Sequence, residues 1–284
     1  MGNISISKNS LDISDVTAIV STHERSFALN NLVDSFHLHY PDLKIIAVDS
    51  SKNPQIRTDI SHVLSSDLWI SQQRNMALHN VHTALLLLLD DDFLCSEKTD
   101  IIKLIDSVVN SDNQIVGGVV DNIWSEQYDF HGYYDIIWNT LYHFVWKKNP
   151  TSYNYETIFN FFVWETNAIK WIGWWDDNLK YAREHDDFFL RAKHKDVKVS
   201  YNHDVAIEHH HYRKHHWGTK SLWCVDHFLL KRNIDNKVEV RFIDRGSSLP
   251  YISYHNCIAS WKKIEKHMEE KIKSLYWDFP IIIS

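Results

Sequence analysis

Apolar residues in this chain fall into short unbroken runs that alternate with stretches of helical spacing. Residues 16–21 form a β-branched run after a polar leader. Thr22, His23, Glu24 and Arg25 follow, and then Phe27, Leu29, Leu32, Val33 and Phe36 recur at intervals of three and four. That order predicts a strand, a loop and an amphipathic helix. Residues 43–48 read as a second buried strand ending at Asp49, with Pro41 marking the turn ahead of it. The alternation continues with a helix over 69–78, a strand over 84–89, a helix over 101–109 and a strand over 114–120. Further on, a strand is predicted over 159–164, a helix over 184–194 and one or two strands over 197–207. Between 121 and 155 the period weakens and aromatics take over, with Trp124, Tyr128, Tyr133, Tyr134, Trp138, Tyr142 and Trp146; this stretch reads as an elaboration over the ligand-bearing face. Helical spacing returns over 222–231 and 258–274, in what reads as a C-terminal extension packed on the same domain.

Strands that are apolar on both faces and separated by helices describe an α/β fold, a mostly parallel sheet covered on both sides. In such sheets the ligand crevice lies beyond the carboxyl ends of the strands. Asp49, the aspartates from Asp90 onward and the loop of Thr22 to Arg25 all fall at that edge. Polar residues from three distant segments therefore converge there. With no internal repeat or low-complexity linker, a second independent domain is not required.

Composition narrows the partners. A net charge of −7 over 284 residues gives no overall attraction to nucleic acid or to an anionic membrane, although Arg213, Lys214 and nearby histidines make a local basic patch. Cys95, Cys224 and Cys257 are few, odd in number and far apart, so no disulfide framework is indicated. The first fifteen residues lack the cationic flank and apolar core of an export signal, and the apolar run 84–89 is too short to span a bilayer. The expected setting is the cytoplasm, with peripheral attachment at the inner membrane face compatible with it. Twelve tryptophans and thirteen tyrosines offer flat amphipathic rings of the kind that stack on sugars, against the plainer reading that they fill the core.

Asp90, Asp91 and Asp92 directly follow five leucines. Adjacent carboxylates at a strand end repel one another unless a cation neutralises them, and oxygen-rich sites of this kind suit Mg²⁺ or Mn²⁺ held together with substrate phosphates. A solvated turn or helix N-terminus is the competing reading; the apolar strand and the converging polar edge favour the metal. His209, His210, His211, His215 and His216 are poorly spaced for a zinc site.

Ordered blocks of the sequence resemble the β-1,4-N-acetylgalactosaminyltransferase family that includes ganglioside GM2/GD2 synthase. They are Arg74-Asn75-Met76-Ala77 through Leu89-Asp90-Asp91-Asp92-Phe93, Ile115 to Val120, Asn160-Phe161-Phe162-Val163-Trp164-Glu165-Thr166, His185-Asp186-Asp187-Phe188-Phe189-Leu190 and Ile207-Glu208-His209. Together they cover about 16–209. The resemblance implies a GT-A catalytic domain over 1–211, with a nucleotide-binding half at about 15–121 and an acceptor half at about 122–211, and leaves 212–284 outside it. It implies a UDP-sugar donor, inverting transfer and a divalent cation. Carried over residue by residue, Asp90 lies near the ribose with Asp91 beside it. Asp92 binds the metal bridging the phosphates, with Asp90 and His209 as further candidates. Thr22, Glu24, Arg25 and Asp49 fall on the uridine side, and Arg74 faces the diphosphate. The acceptor is expected to be a glycan or lipid-linked glycan in surface-polysaccharide synthesis. A different UDP-hexose donor, or a binding module without catalysis, stays open at this stage.

Inversion needs a carboxylate to take the acceptor proton on the face opposite the leaving group. Glu184, His185, Asp186 and Asp187 supply the candidates, with Asp187 slightly ahead of Asp186. In related GT-A enzymes a glutamate-aspartate pair precedes this helix, and His185 stands where that aspartate belongs, which leaves the base open. Trp124, Trp164, Trp174 and Trp175 are candidates for an acceptor platform, with core packing an equal competitor.

Overall fold

A computed structural model describes residues 11–122, 132–137, 140–146, 155–180, 183–210, 236–242 and 250–255. By contacts the chain divides into two units, 1–127 with 155–228, and 128–154 with 229–284.

The first unit is built on an eight-stranded sheet. Its strands are β1 (Val16–Thr22), β2 (Lys44–Asp49), β3 (Ser61–Leu64), β4 (Leu85–Asp90), β5 (Phe93–Leu94), β6 (Ile115–Asn122), β9 (Phe162–Glu165) and β10 (Val199–His209). They lie in the order β3-β2-β1-β4-β9-β6-β10-β5. β3, β2, β1 and β4 run parallel, as do β6 and β10. β9 is antiparallel to both its neighbours and β5 is antiparallel to β10. The mostly parallel, doubly covered sheet is thus the expected one, but β9 reverses direction. That reversal has a consequence for the site: Phe162 pairs with Leu88 and Glu165 with Leu85, so the residues just before β9 lie at the Asp90 end of the sheet.

Both faces of the sheet are covered because both alternating sets of side chains are apolar. Val16, Ala18, Val20, Leu85, Leu87 and Leu89 join one buried cluster with Leu29, Leu32, Val33 and Phe36 of α1 (Ser26–His39) and Ile101, Leu104, Ile105 and Val108 of α3 (Ile101–Val109). The spacing of those helical positions is a single stripe, and α3 is capped by Asp100, whose side chain accepts from the Lys103 N–H at 3.0 Å. α2 (Ile70–His79) packs on β1 and β2. α4 (Thr166–Ile172), not foreseen because it is only two turns long, follows β9, and α5 (Glu184–His194) matches its predicted bounds.

The second unit contains an antiparallel pair, β7 (Gly132–Ile137) and β8 (Thr140–Trp146), joined to β11 (Asn236–Phe242) and β12 (Pro250–His255) in the order β12-β11-β8-β7. β8 and β11 are parallel partners almost a hundred residues apart, so the contact division is discontinuous in sequence. Periodicity within one segment carries no information about such a partner. The helical stretches read over 222–231 and 258–274, and Trp124, lie outside the described residues. Among the described residues no helix is long and apolar enough to cross a membrane.

Gly117 and Gly118 on β6 permit a close approach that matters for the site. A Cβ on Gly118 would lie 2.5 Å from the Phe161 ring and 2.8 Å from the Val205 carbonyl oxygen, and one on Gly117 would meet Ile158 at 2.8 Å. The Gly118 N–H donates to the Phe161 carbonyl at 3.0 Å. Residues 158–161 are thereby pressed onto the sheet. Gly118→Ala is expected to destabilise the protein by about 1–3 kcal/mol through overpacking against backbone, read as a lower denaturation midpoint; an unchanged midpoint would show that the segment yields freely.

Candidate donor and metal site

Parallel register brings the expected residues to one level: Thr22 pairs with Asp49, and Ser21 with Asp90. His209, at the end of β10, pairs with Phe93 on the two-residue β5 that follows the aspartates. This short antiparallel contact delivers a histidine from far along the chain to the acidic run.

The three aspartates have different surroundings. Asp91 is fully buried; the Thr22 hydroxyl donates to its Oδ2 at 2.7 Å, and the Arg25 guanidinium pairs with its Oδ1. Asp92 accepts from Arg25 Nη1 at 2.9 Å through Oδ2, while His209 Nε2 stands 3.3 Å from Oδ1. Its carbonyl accepts the His210 N–H at 2.8 Å. Asp90 receives the Asn160 amide on both oxygens, at 3.1 and 3.0 Å, and Arg74 Nη2 lies 3.5 Å away. Arg74, only 1% exposed, reaches Glu184 Oε1 with Nη1 at 3.2 Å, and its guanidinium carbon sits 5.3 Å from the Trp175 ring centre. A continuous polar chain therefore runs from Glu184 through Arg74 to Asp90, next to a second one joining Arg25, Asp91 and Asp92.

Negative charge is in excess here. Asp90, Asp91, Asp92 and Glu184 face the two guanidiniums of Arg25 and Arg74. Burial accordingly pushes the Asp91 carboxyl up to about 7 despite Arg25, and raises Asp90 and Glu184 despite Arg74. Asp92 goes the other way: burial opposes its ionisation, but the His209 hydrogen bond and the Arg25 charge hold it below the ordinary carboxylate range. A divalent cation would relieve the excess. Among the described residues no group of three or more His, Cys, Asp or Glu has metal-binding geometry. Asp92 and His209 do offer a carboxylate oxygen and an imidazole nitrogen side by side. One or two protein ligands completed by phosphate oxygens is a donor set that suits Mg²⁺ or Mn²⁺.

On the expected uridine side, Asp49 is buried and accepts the Ser51 N–H at 2.8 Å. His62 Nε2 approaches its other oxygen at 3.4 Å. His62 Nδ1 accepts the Arg57 N–H at 3.0 Å, so the ring proton sits on the nitrogen facing Asp49. Glu24 adopts φ 54°, an uncommon conformation for a residue with a side chain. It is held there by Ser51 Oγ on its N–H at 2.6 Å and by the Lys52 N–H on its carboxylate at 2.7 Å. This turn aims Arg25 back toward the aspartates.

The block at the start of α5 divides. Glu184 joins the site through Arg74. Asp187, fully buried, is paired with Arg191 at 2.8 Å, and Arg191 also donates to the carbonyls of Ile172 and Gly173. Asp186 is paired with Arg183 at 3.1 Å. His185 Nε2 donates to the Ile158 carbonyl, with its ring 4.8 Å from Phe189. The histidine thereby ties α5 to the segment bearing Asn160. Trp164 and Trp175 are 0% and 3% exposed and pack on Phe188, so neither presents a face to an acceptor; they are core residues, correcting the platform reading for both. Trp174 is half-buried with its ring 4.0 Å from His79. Asn160 was not singled out from sequence. It stood in a matching block, but only the reversed β9 shows that its amide meets Asp90.

No family model matches the chain. The chain is 29% identical over 186 residues to mouse β-1,4 N-acetylgalactosaminyltransferase 2, covering 62% of this chain and 35% of that protein. It is 26% identical over 220 residues to rat β-1,4 N-acetylgalactosaminyltransferase 1, covering 72% and 40%. The chain thus spans about two fifths or less of the length of these curated relatives. Among solved structures it is similar to Staphylococcus aureus TarS 1-349 in complex with UDP-GlcNAc, with a TM-score of 0.53 and 14% identity over 72% of this chain and 60% of that one. A second structure of TarS 1-349 superposes with a TM-score of 0.50 and 15% identity over 68% and 60%. The fold is that of the GT-A glycosyltransferases, and the relatives by sequence are glycosyltransferases as well.

The raised Asp91 carboxyl has a definite sign for stability. Folded Asp91 keeps its proton up to about 7 whereas an ordinary aspartate loses it at 3.8, so the folded state binds more protons in that window. The metal-free protein is expected to lose thermal stability as pH rises through that window, from about 4 to about 7. Asp91→Asn should show a shallower decline in a melting series without metal; an identical slope would assign the effect elsewhere.

Proposed function

We propose that this chain is an inverting, metal-dependent glycosyltransferase that moves a hexosamine, N-acetylgalactosamine first among the candidates, from a UDP donor to a hydroxyl of a glycan or lipid-linked glycan in surface-polysaccharide synthesis. The observation that carries this reading is the under-neutralised acidic cluster at the carboxyl edge of β4, flanked by Arg25, Arg74 and His209. The GT-A fold and the sequence similarity to N-acetylgalactosaminyltransferases support it.

In this reading Asp92 and His209 would hold Mn²⁺ or Mg²⁺ together with donor phosphate oxygens, while Asp90, engaged by Asn160 and Arg74, stands outside that pair. When bound, the cation supplies positive charge to the departing diphosphate. Thr22, Glu24, Arg25 and Asp49 line the nucleotide side. Arg74, buried against Trp175 and paired with Glu184 and Asp90, acts in this reading from behind Asp90 as a fixed charge, and a preorganised charge needs no rearrangement during bond breaking. Of the four candidates for the base, Glu184 is the one connected to the acidic cluster. Burial holds its carboxyl above the ordinary range, and a carboxylate with raised pKa is the stronger acceptor of a hydroxyl proton. Asp187 instead braces α5 against the turn at Gly173 through Arg191.

Asp92→Ala is expected to lower transfer by at least about 100-fold while circular dichroism stays native. Calorimetry of UDP with Mn²⁺ should register binding in the parent and not in the variant; full activity in the variant would refute the metal assignment. Glu184→Gln should lower kcat and leave UDP binding intact. Asp187→Asn should instead cost about 3 kcal/mol of stability by leaving Arg191 unpaired; the reverse pattern would return the base to Asp187.

A further inference from the structure

The two guanidiniums of the site are held in different ways. Arg74 is buried, with Trp175 over its face and carboxylates on its nitrogens. The side chain of Arg25 is 28% exposed, and its ion pairs among the described residues are at the guanidinium, one nitrogen to Asp91 and another to Asp92 at 2.9 Å. Its backbone position is fixed by the Glu24 turn and by the start of α1, for which Arg25 is the capping residue. Turning the partly exposed side chain toward solvent therefore leaves those backbone anchors in place.

Asp92 Oδ2 holds Arg25, and Oδ1 faces His209. A divalent cation on Asp92 would share that carboxylate with the guanidinium, and like charges close together repel inside a protein. We propose that Arg25 is a displaceable internal counter-ion, occupying the acidic cluster while no metal is bound and competing directly with the divalent cation for Asp92. This rests on the metal reading of the site. Its physical logic is that the uncompensated cluster costs stability, so one residue neutralises it in part at the expense of metal affinity. Arg25 would have to leave Asp92 for a cation to bind there.

The test is titration with Mn²⁺ alone, followed by calorimetry and by melting temperature, on the full chain. Arg25→Gln should melt lower than the parent without metal, bind Mn²⁺ about tenfold more tightly and gain more melting temperature from saturating Mn²⁺. Arg25→Lys, which keeps the charge but cannot fork to two carboxylates, should fall between them, and it carries the same comparison if Arg25→Gln does not fold. Equal or weaker Mn²⁺ affinity in the variants, with Mn²⁺ binding intact in the parent, overturns the counter-ion role and leaves the metal site standing. No Mn²⁺ binding in any of the proteins overturns both.

Discussion

Packing more carboxylates than guanidiniums at the end of a buried strand is the constraint from which the rest of the site follows. In water Asp90, Asp91 and Asp92 would simply hydrate. Here the five leucines of β4 are buried on both faces, so its end at Asp90 cannot move outward without exposing leucines. The surrounding chain supplies every available partner instead. Thr22 and Arg25 come from the loop after β1, Arg74 from α2, Asn160 from the approach to β9, and His209 from the end of β10. The result is still short of positive charge.

Rigidity around this cluster comes from contacts that touch no ligand. Residues 158–161 are flattened against two glycines of β6, and His185 holds the Ile158 carbonyl from α5. Asp187 and Arg191 fasten the same helix to the turn after α4. These interactions explain an acidic, histidine-containing block without making each of its members catalytic. Buried ion pairs of this type contribute little net stability over apolar replacements, yet removing one partner is costly. Their value lies in fixing where Glu184 and Asn160 stand.

The aromatic excess divides in the same way. Trp164, Trp175, Phe162, Phe188 and Phe189 pack against one another edge to face, tilted and stacked. Trp175 also supports Arg74 from below. Ring count alone does not separate a sugar platform from a core, because both use the same side chains.

Much of this was readable from local pattern. Unbroken apolar runs and helical stripes marked β1, β2, β4, β6, α1, α2, α3 and α5, since burial on one or two faces imposes its period on neighbouring residues. Topology then placed Thr22, Asp49 and Asp90 at one edge, because parallel strands share their carboxyl ends. Tertiary structure decided what depends on pairing between distant segments. The reversal of β9 that brings Asn160 to Asp90, the joining of β8 to β11, the delivery of His209 by β5 and the choice of Glu184 over Asp187 as the neighbour of Arg74 are all of this kind. A residue's own period reports whether it is buried, but its hydrogen-bond and charge partners are set by which strand happens to lie alongside, and that is a property of the assembled sheet.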